Sequence, residues 1–246
     1  MPDVNYQIDD KAKTKKYWII GGILLAAILA YIIVPPRLAA YYLERGQSLY
    51  FQDNIGGMYF KAAKSNFDRS VFFDRANPVA HMYLGRVALG RVDAEGKDYY
   101  PDADWPEAIR HYRQALDLGI ERSNFNYFAH TLESLGLGYF NDGQYEKSRE
   151  IYLQKIRAFP NSFFGVEYFS TFWARFLTAD MDFRFLGKPE EAVELLKPVS
   201  LPENADPKNI YKVHALLARL YIYINDAENA ENNAKLEALL REKSGA

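Results

Sequence analysis

The chain contains no cysteine. Disulfide staples, Cys-ligated zinc, thiol nucleophiles and iron–sulfur clusters are excluded together, while the redox compartment stays open because a cysteine-free chain suits any of them. Histidine is scarce, with His81, His111, His130 and His214 the full complement, and none stands in the HExxH spacing that puts two imidazoles on one helix face. No GxSxG elbow, no phosphate-cradling glycine-rich loop and no Walker-type Gly-Lys-Ser/Thr occurs. An excess of one charge sign is missing too: 30 Lys+Arg against 32 Asp+Glu leave a net of −2, which argues against a nucleic-acid binder working by phosphate neutralisation. Glycine and proline nowhere gather into a long linker, so residues 37–246 read as one continuous unit. No catalytic residue, metal ligand or cofactor is assigned, and no small-molecule substrate.

What the chain does have is 49% hydrophobic and 25% charged residues, an ordinary globular balance, and an unusual 15% of aromatics. The hydrophobic residues are segregated. Tyr17 to Val34 reads YWIIGGILLAAILAYIIV, 18 uncharged residues that span roughly 27 Å at the helical rise and match a bilayer core. This predicts a transmembrane helix at 17–34. Lys11, Lys13, Lys15 and Lys16 precede it, and Pro35 and Pro36 follow, where the helix is expected to stop. Four lysines before the run against Arg37 and Arg45 after it place residues 1–16 in the cytoplasm and the rest on the periplasmic or extracytoplasmic side of an inner membrane. Tyr17, Trp18 and Tyr31 sit near the two ends, at headgroup level. Two other readings compete. A cleaved signal peptide needs a shorter apolar core and a small-residue cleavage site, and Leu38-Ala39-Ala40 matches A-x-A poorly; a buried core helix is opposed by the lysine and proline flanks. Beyond residue 36 the remainder carries a net of −3.

Internal recurrence decides the architecture. Residues 129–162 carry Leu132-x-x-Leu135-Gly136-x-x-Tyr139, then Gly143, Tyr145, Ser148-x-x-x-Tyr152 and Pro160. This resembles one tetratricopeptide repeat (TPR), in which small residues sit where two antiparallel helices cross closely, large ones fill the space around them and proline ends the second helix. Ala108-x-x-x-Tyr112-x-x-Ala115 is similar to a second helix whose partner holds Leu84-Gly85 and Ala88. Gly85 precedes Ala108 by 23 positions where Gly136 precedes Ser148 by 12, so 11 extra residues form an insertion near 92–105. Leu217-Ala218-x-x-Tyr221 precedes Ala230 at the twelve-residue offset, followed by a polar helix suited to capping. Weaker units are Tyr42-x-x-x-Gly46-x-x-Leu49 with Ala63-x-x-x-Phe67, and Pro189–Leu196 with the aromatic run Val166–Leu186. The resemblance implies an all-α fold, an N-terminal transmembrane helix followed by an α-solenoid of about five TPR-like hairpins over 37–246; an unrelated helical bundle is the alternative.

Repeat packing absorbs most rings, Tyr42, Tyr112, Tyr139, Tyr145, Tyr152 and Tyr221 among them. Two places carry more than it needs: Phe163–Trp173, with Phe164 and Trp173, and the insertion's Asp98–Trp105, with Tyr99, Tyr100 and Trp105. Each is a candidate surface for a protein partner or for lipid, against the alternative of a passive loop. His81 and His214 occupy equivalent packing positions in their repeats. The paired carboxylates Asp102/Asp104 and Asp180/Asp182 are of a kind common on surfaces. The loop Asp93 to Asp98, continuing to Asp102 and Asp104, lacks the sixth-place glycine and terminal glutamate of an EF-hand, so no cation site is assigned.

First helices of stacked pairs line the concave side, and the resemblance therefore implies partner contacts at Met82, Arg86, Glu133, Leu137, Phe140, Lys212, Arg219 and Tyr223. The Lys/Asn/Arg cluster with which some TPR domains clamp a C-terminal carboxylate is missing. The resulting expectation is a non-enzymatic, membrane-anchored scaffold, an assembly factor or accessory subunit of a membrane-associated multiprotein complex, touching lipid through Tyr17 to Val34. Two alternatives remain: a chaperone-like receptor holding exported proteins or peptides in the concave groove, and an enzyme built on the acidic pairs.

Overall fold

A computed structural model describes residues 6–52, 58–92, 98–99, 103–160, 171–199 and 207–245. Its described residues form paired helices in a TPR-like repeat arrangement, and the chain divides into two compact units, Met1–Ala80 and His81–Ala246.

The first unit is built on α1 (Tyr6–Gln52), a single helix of 47 residues, and α2 (Met58–Phe73). Pro35 and Pro36 lie inside α1 and do not end it, which corrects the expected stop. Neither proline has an N–H, so the carbonyls of Tyr31 and Ile32 lose their helical partners. Proline's fixed φ is itself helical, however, so the helix runs on with those two bonds missing. One helix thus carries both the apolar run and the first strut of the repeats.

None of the most apolar 18-residue window of α1, of mean hydropathy 2.4, is buried. Trp18 is 78% exposed, Leu24 58% and Tyr31 81%. A core helix of a soluble protein would be covered, so this helix has the character of a membrane span or a signal sequence. Its C-terminal part packs on α2 through the expected small and large residues. Ala39, Ala63 and Phe67 are buried, a Cβ added to Gly46 would meet the Phe67 ring at 2.6 Å, and Ser70 Oγ donates to the Ala39 carbonyl at 2.9 Å.

In the second unit the pairs are α3 (Pro78–Leu89, which crosses the division) with α4 (Trp105–Asp117), α5 (Phe125–Asn141) with α6 (Tyr145–Ala158), α7 (Phe172–Met181) with α8 (Pro189–Leu196), and α9 (Pro207–Tyr223) with α10 (Ala227–Ser244). Local chemistry sets the starts. Asp104 Oδ1 accepts from the Glu107 N–H at 3.0 Å, with Pro106 in the first turn of α4. Asn124 Oδ1 caps α5 by accepting from Asn126 N–H at 2.8 Å, and Asp226 Oδ1 caps α10 by accepting from Asn229 N–H at 3.2 Å. Gly143 ends the α5 turn in the left-handed region at φ +72°, and the Gln144 N–H reaches back to the Tyr139 carbonyl at 2.8 Å.

The same small-against-large contact recurs between helices. Gly85 lies against Tyr112 and Gly136 against Tyr152, while Ser148 Oγ donates to the Gly136 carbonyl at 2.8 Å. In the last two hairpins Phe172, Ala179, Ala192, Leu196, Val213, Leu217, Leu220 and Ala230 form one core. The only regular β structure among the described residues is a two-rung antiparallel pair in the insertion, β1 (Arg91–Val92) with β2 (Asp98–Tyr99). The expected first helix of the fourth unit is shorter within the described residues, beginning at Phe172 and passing at Asp182–Leu186 into a π-turn.

Candidate functional site

α5 presents Glu133, Leu137 and Phe140 as one half-buried stripe, because spacings of four and three residues return to the same helix face. Glu133 is not left open to solvent on that face. It pairs with Lys155 of α6, whose side chain is only 1% exposed, so the carboxylate neutralises a buried ammonium. The same neighbourhood holds His130. Burial pushes its imidazole down to about 3, and the positive charges of Arg86 and Lys155 act in the same direction. Arg86 itself lies 6.0 Å over the Tyr83 ring. Two of the expected contact residues, Arg86 and Glu133, therefore belong to one charge cluster spanning α3, α5 and α6.

Phe140 meets Tyr145 edge-on at 5.7 Å and Phe185 at 6.5 Å, and Tyr145 stacks on Phe185 at 4.0 Å. Leu137 is half-buried. Met82 is fully buried, so it belongs to the interior and not to a docking surface, which corrects its place in the expected contact set. The reason is α3 itself: Ala80, His81, Met82, Tyr83, Leu84, Val87 and Leu89 are all buried, and a helix apolar on nearly every side is covered on nearly every side.

The second cluster joins α7 and α9. Lys212 Nζ lies 5.4 Å over the face of the Trp173 ring, within range for a cation–π contact. Two residues singled out for unrelated reasons, one as an aromatic surplus and one as a groove residue, are thus brought together. Trp173 remains 38% exposed and packs edge-on against Phe176 at 5.8 Å. Further along α9, Arg219 is exposed and its charge favours the ionised form of Asp180, which also pairs with Arg184 at 3.0 Å. Burial nevertheless holds Asp180 above the usual carboxylate range. Tyr223 is 65% exposed and meets Phe183 edge-on at 5.5 Å.

Of the insertion residues, Tyr100 lies outside the described residues, as does Phe164; Tyr99 falls in β2, and Trp105 opens α4, half-buried. Most of the loop 93–98 also lies outside them. Asp102 lies outside the described residues, and the other three carboxylates of the acidic pairs have local partners: Asp104 caps α4, Asp180 pairs with Arg184, and Asp182, wholly buried, accepts from Arg149 Nε at 2.6 Å. Burial raises Asp182 above the usual range against the opposing pull of Arg149. His81 and His111 approach through their Nδ1 atoms at 3.1 Å, one donating to the other, and His111 is pushed down to about 4 chiefly by burial, with the Arg110 charge adding to it. His214 Nδ1 meets Asn233 Oδ1 at 2.7 Å, a packing role. Among the described residues no group of three His or carboxylate side chains is placed to hold a metal ion.

The sequence reading places Phe176, Phe183 and Phe185 in the aromatic run of the fourth unit and does not name them as contact residues. The aromatic surplus read from the sequence ends at Trp173, yet the rings continue along the helix and through the π-turn, and the three-to-four-residue spacing Trp173, Phe176, Asp180, Phe183 is the signal that extends it.

No protein-family profile matches the chain, and no curated protein sequence does. Solved structures do. A Podosopora anserina putative kinesin light chain with nearly identical TPR-like repeats superposes at TM-score 0.53, 17% identical, over 85% of this chain and 97% of that one; a singly substituted form of that protein gives 0.54 at 17% identity over 86% and 97%. At that identity the likeness is one of fold, and the fold of this chain is a TPR-like helical repeat.

Proposed function

We propose that the protein is a non-enzymatic scaffold, held at a membrane by α1 and serving as an assembly factor or accessory subunit of a membrane-associated multiprotein complex. A TPR-like array is a protein-interaction fold, and the concave faces of α5, α7 and α9 offer its contact residues. One observation carries the membrane half of the proposal: α1 passes from a fully exposed apolar run directly into the first hairpin. No linker separates the anchor from that hairpin, so the repeats begin close to the bilayer, where tethering raises their effective concentration toward membrane partners and a weak interface suffices. The lysines at 11, 13, 15 and 16 put the N-terminus in the cytoplasm and the repeats on the periplasmic side.

The test is deletion of residues 1–36. The remaining chain should leave the membrane fraction in high-salt or carbonate washes, keep its helical circular dichroism and lose its partners on purification. Retention of the partners would show that the anchor is not needed for assembly, and loss of the full-length chain from membranes by simple washing would remove the span.

A further inference from the structure

The first hairpin ends in a band of rings on the side from which the apolar run arrives. Tyr41 meets Tyr42 edge-on at 5.3 Å, Tyr42 stacks on Phe73 at 5.8 Å, and Phe73 meets Phe72 edge-on at 5.1 Å. The two helices are antiparallel, so the last turn of α2 returns to the level at which α1 begins its repeat; the Ser70 hydroxyl bound to the Ala39 carbonyl fixes that level. Ala39 lies five residues past Val34, about 7.5 Å at the helical rise. The headgroup layer beyond the hydrocarbon is of about that depth, roughly 5–8 Å on each side.

The outer members of the band are bare. Phe72 is 72% exposed and Tyr41 51%. Cations frame them: Arg45 donates to the Tyr41 hydroxyl at 2.9 Å, Arg69 lies 5.5 Å over the Tyr42 ring, and Arg37 and Arg75 are exposed at the same end. Against these four arginines stand Glu44, Asp74 and Asp68, the last paired with Lys64 at 3.1 Å and Asp74 bound to the Ala76 N–H. Rings with one polar edge, bare phenyl groups and a cationic excess are the composition that settles at a membrane interface.

We infer that the base of the first hairpin, Tyr41, Tyr42, Phe73 and Phe72 with Arg37, Arg45 and Arg69, is a second membrane contact, seated in the headgroup layer of a bilayer containing anionic lipid. The inference rests on α1 spanning the membrane and adds what the rest of the hairpin does there. Two contacts on one antiparallel pair restrict rocking of α1 and set the tilt at which the hairpin stands on the bilayer.

The absence of cysteine makes the test clean. Phe72→Cys, Ser65→Cys and Ile28→Cys are introduced singly into the full chain, labelled with bimane, and reconstituted into phosphatidylcholine/phosphatidylglycerol vesicles carrying nitroxide lipids. Ser65 is exposed on the same face of α2 as Phe72, about 10 Å farther from its end. The expected result is loss of fluorescence at 28 with chain-borne nitroxide, loss at 72 with headgroup-borne nitroxide, and none at 65. Quenching at 28 with full fluorescence at 72 overturns the second contact and leaves the span standing. Equal quenching at 65 and 72 means that the hairpin lies flat, which also overturns it. Full fluorescence at 28 removes the span and this inference together.

Discussion

Gly136 of α5 and the ring of Tyr152 on α6 fit together so closely that a Cβ on the glycine would lie 2.7 Å from the ring. Gly85 and Tyr112 repeat the relationship one hairpin earlier. Two helix backbones approach at these points because the position has no side chain, and a fully buried aromatic ring fills the space beside it. Tyr152 is held among Ile156, Ala174 and Met181, so it has little freedom to retreat.

Gly136→Ala should therefore destabilise the chain despite alanine's better helix propensity, by about 1–3 kcal/mol, the usual cost of overpacking. Urea unfolding followed by circular dichroism measures it. Gly22→Ala, where nothing lies within 4 Å of the added carbon, serves as the tolerated control.

The buried pair between Arg149 of α6 and Asp182 of the π-turn should behave asymmetrically. Asp182 has no exposed side-chain surface, whereas Arg149 keeps 20%. Arg149→Met strands a buried carboxylate and should cost about 3–5 kcal/mol. Asp182→Asn leaves a cation that can turn to water and should cost less. Equal losses in a double-mutant cycle would contradict this placement.

Acidification should weaken the fold through its histidines. His130 and His111 are pushed from an ordinary 6.5 down to about 3 and about 4. The unfolded chain thus takes up protons first, and stability present above about 6.5 is lost as pH falls through the folded values. Asp180 and Asp182 are raised by burial, so the folded chain holds their protons more tightly and they offset part of the loss. Thermal melts from pH 7 to pH 4.5 should show a falling midpoint, and His130→Gln should flatten that dependence.

The repeats are legible in the sequence wherever the code is small against large: Gly136, Ser148 and Tyr152 contact as their spacing implies, and Gly46 and Phe67 do so even in a weak unit. The helix boundary at Pro35 is misread because a proline rule counts the lost donor and not the helical φ that proline itself holds. Met82 is misplaced for a related reason. In a short helix apolar all round, spacing identifies a face without saying whether that face is covered. The π-turn at Asp182–Leu186 and the ion pair it makes with Arg149 depend on residues 33 apart meeting in space, which local pattern does not encode.

Lys212→Glu should leave thermal stability nearly unchanged, since a partly exposed cation–π contact is worth only about 0.5–1 kcal/mol, whereas Trp173→Ala also removes ring packing on Phe176 and should lower the melting point. Both should weaken retention of partners if the α7/α9 face is a contact surface. Unchanged retention with an unchanged melting point would move the contact to the Glu133–Phe140 stripe.

The most direct measurement is extraction of the full-length chain from its native membrane in mild detergent, followed by quantitative mass spectrometry of what accompanies it. A scaffold should bring a stoichiometric set of membrane proteins, diminished in the Lys212→Glu chain. A lone monomer, or a varied mixture of exported polypeptides, would contradict the scaffold, and the second outcome would point to a receptor instead.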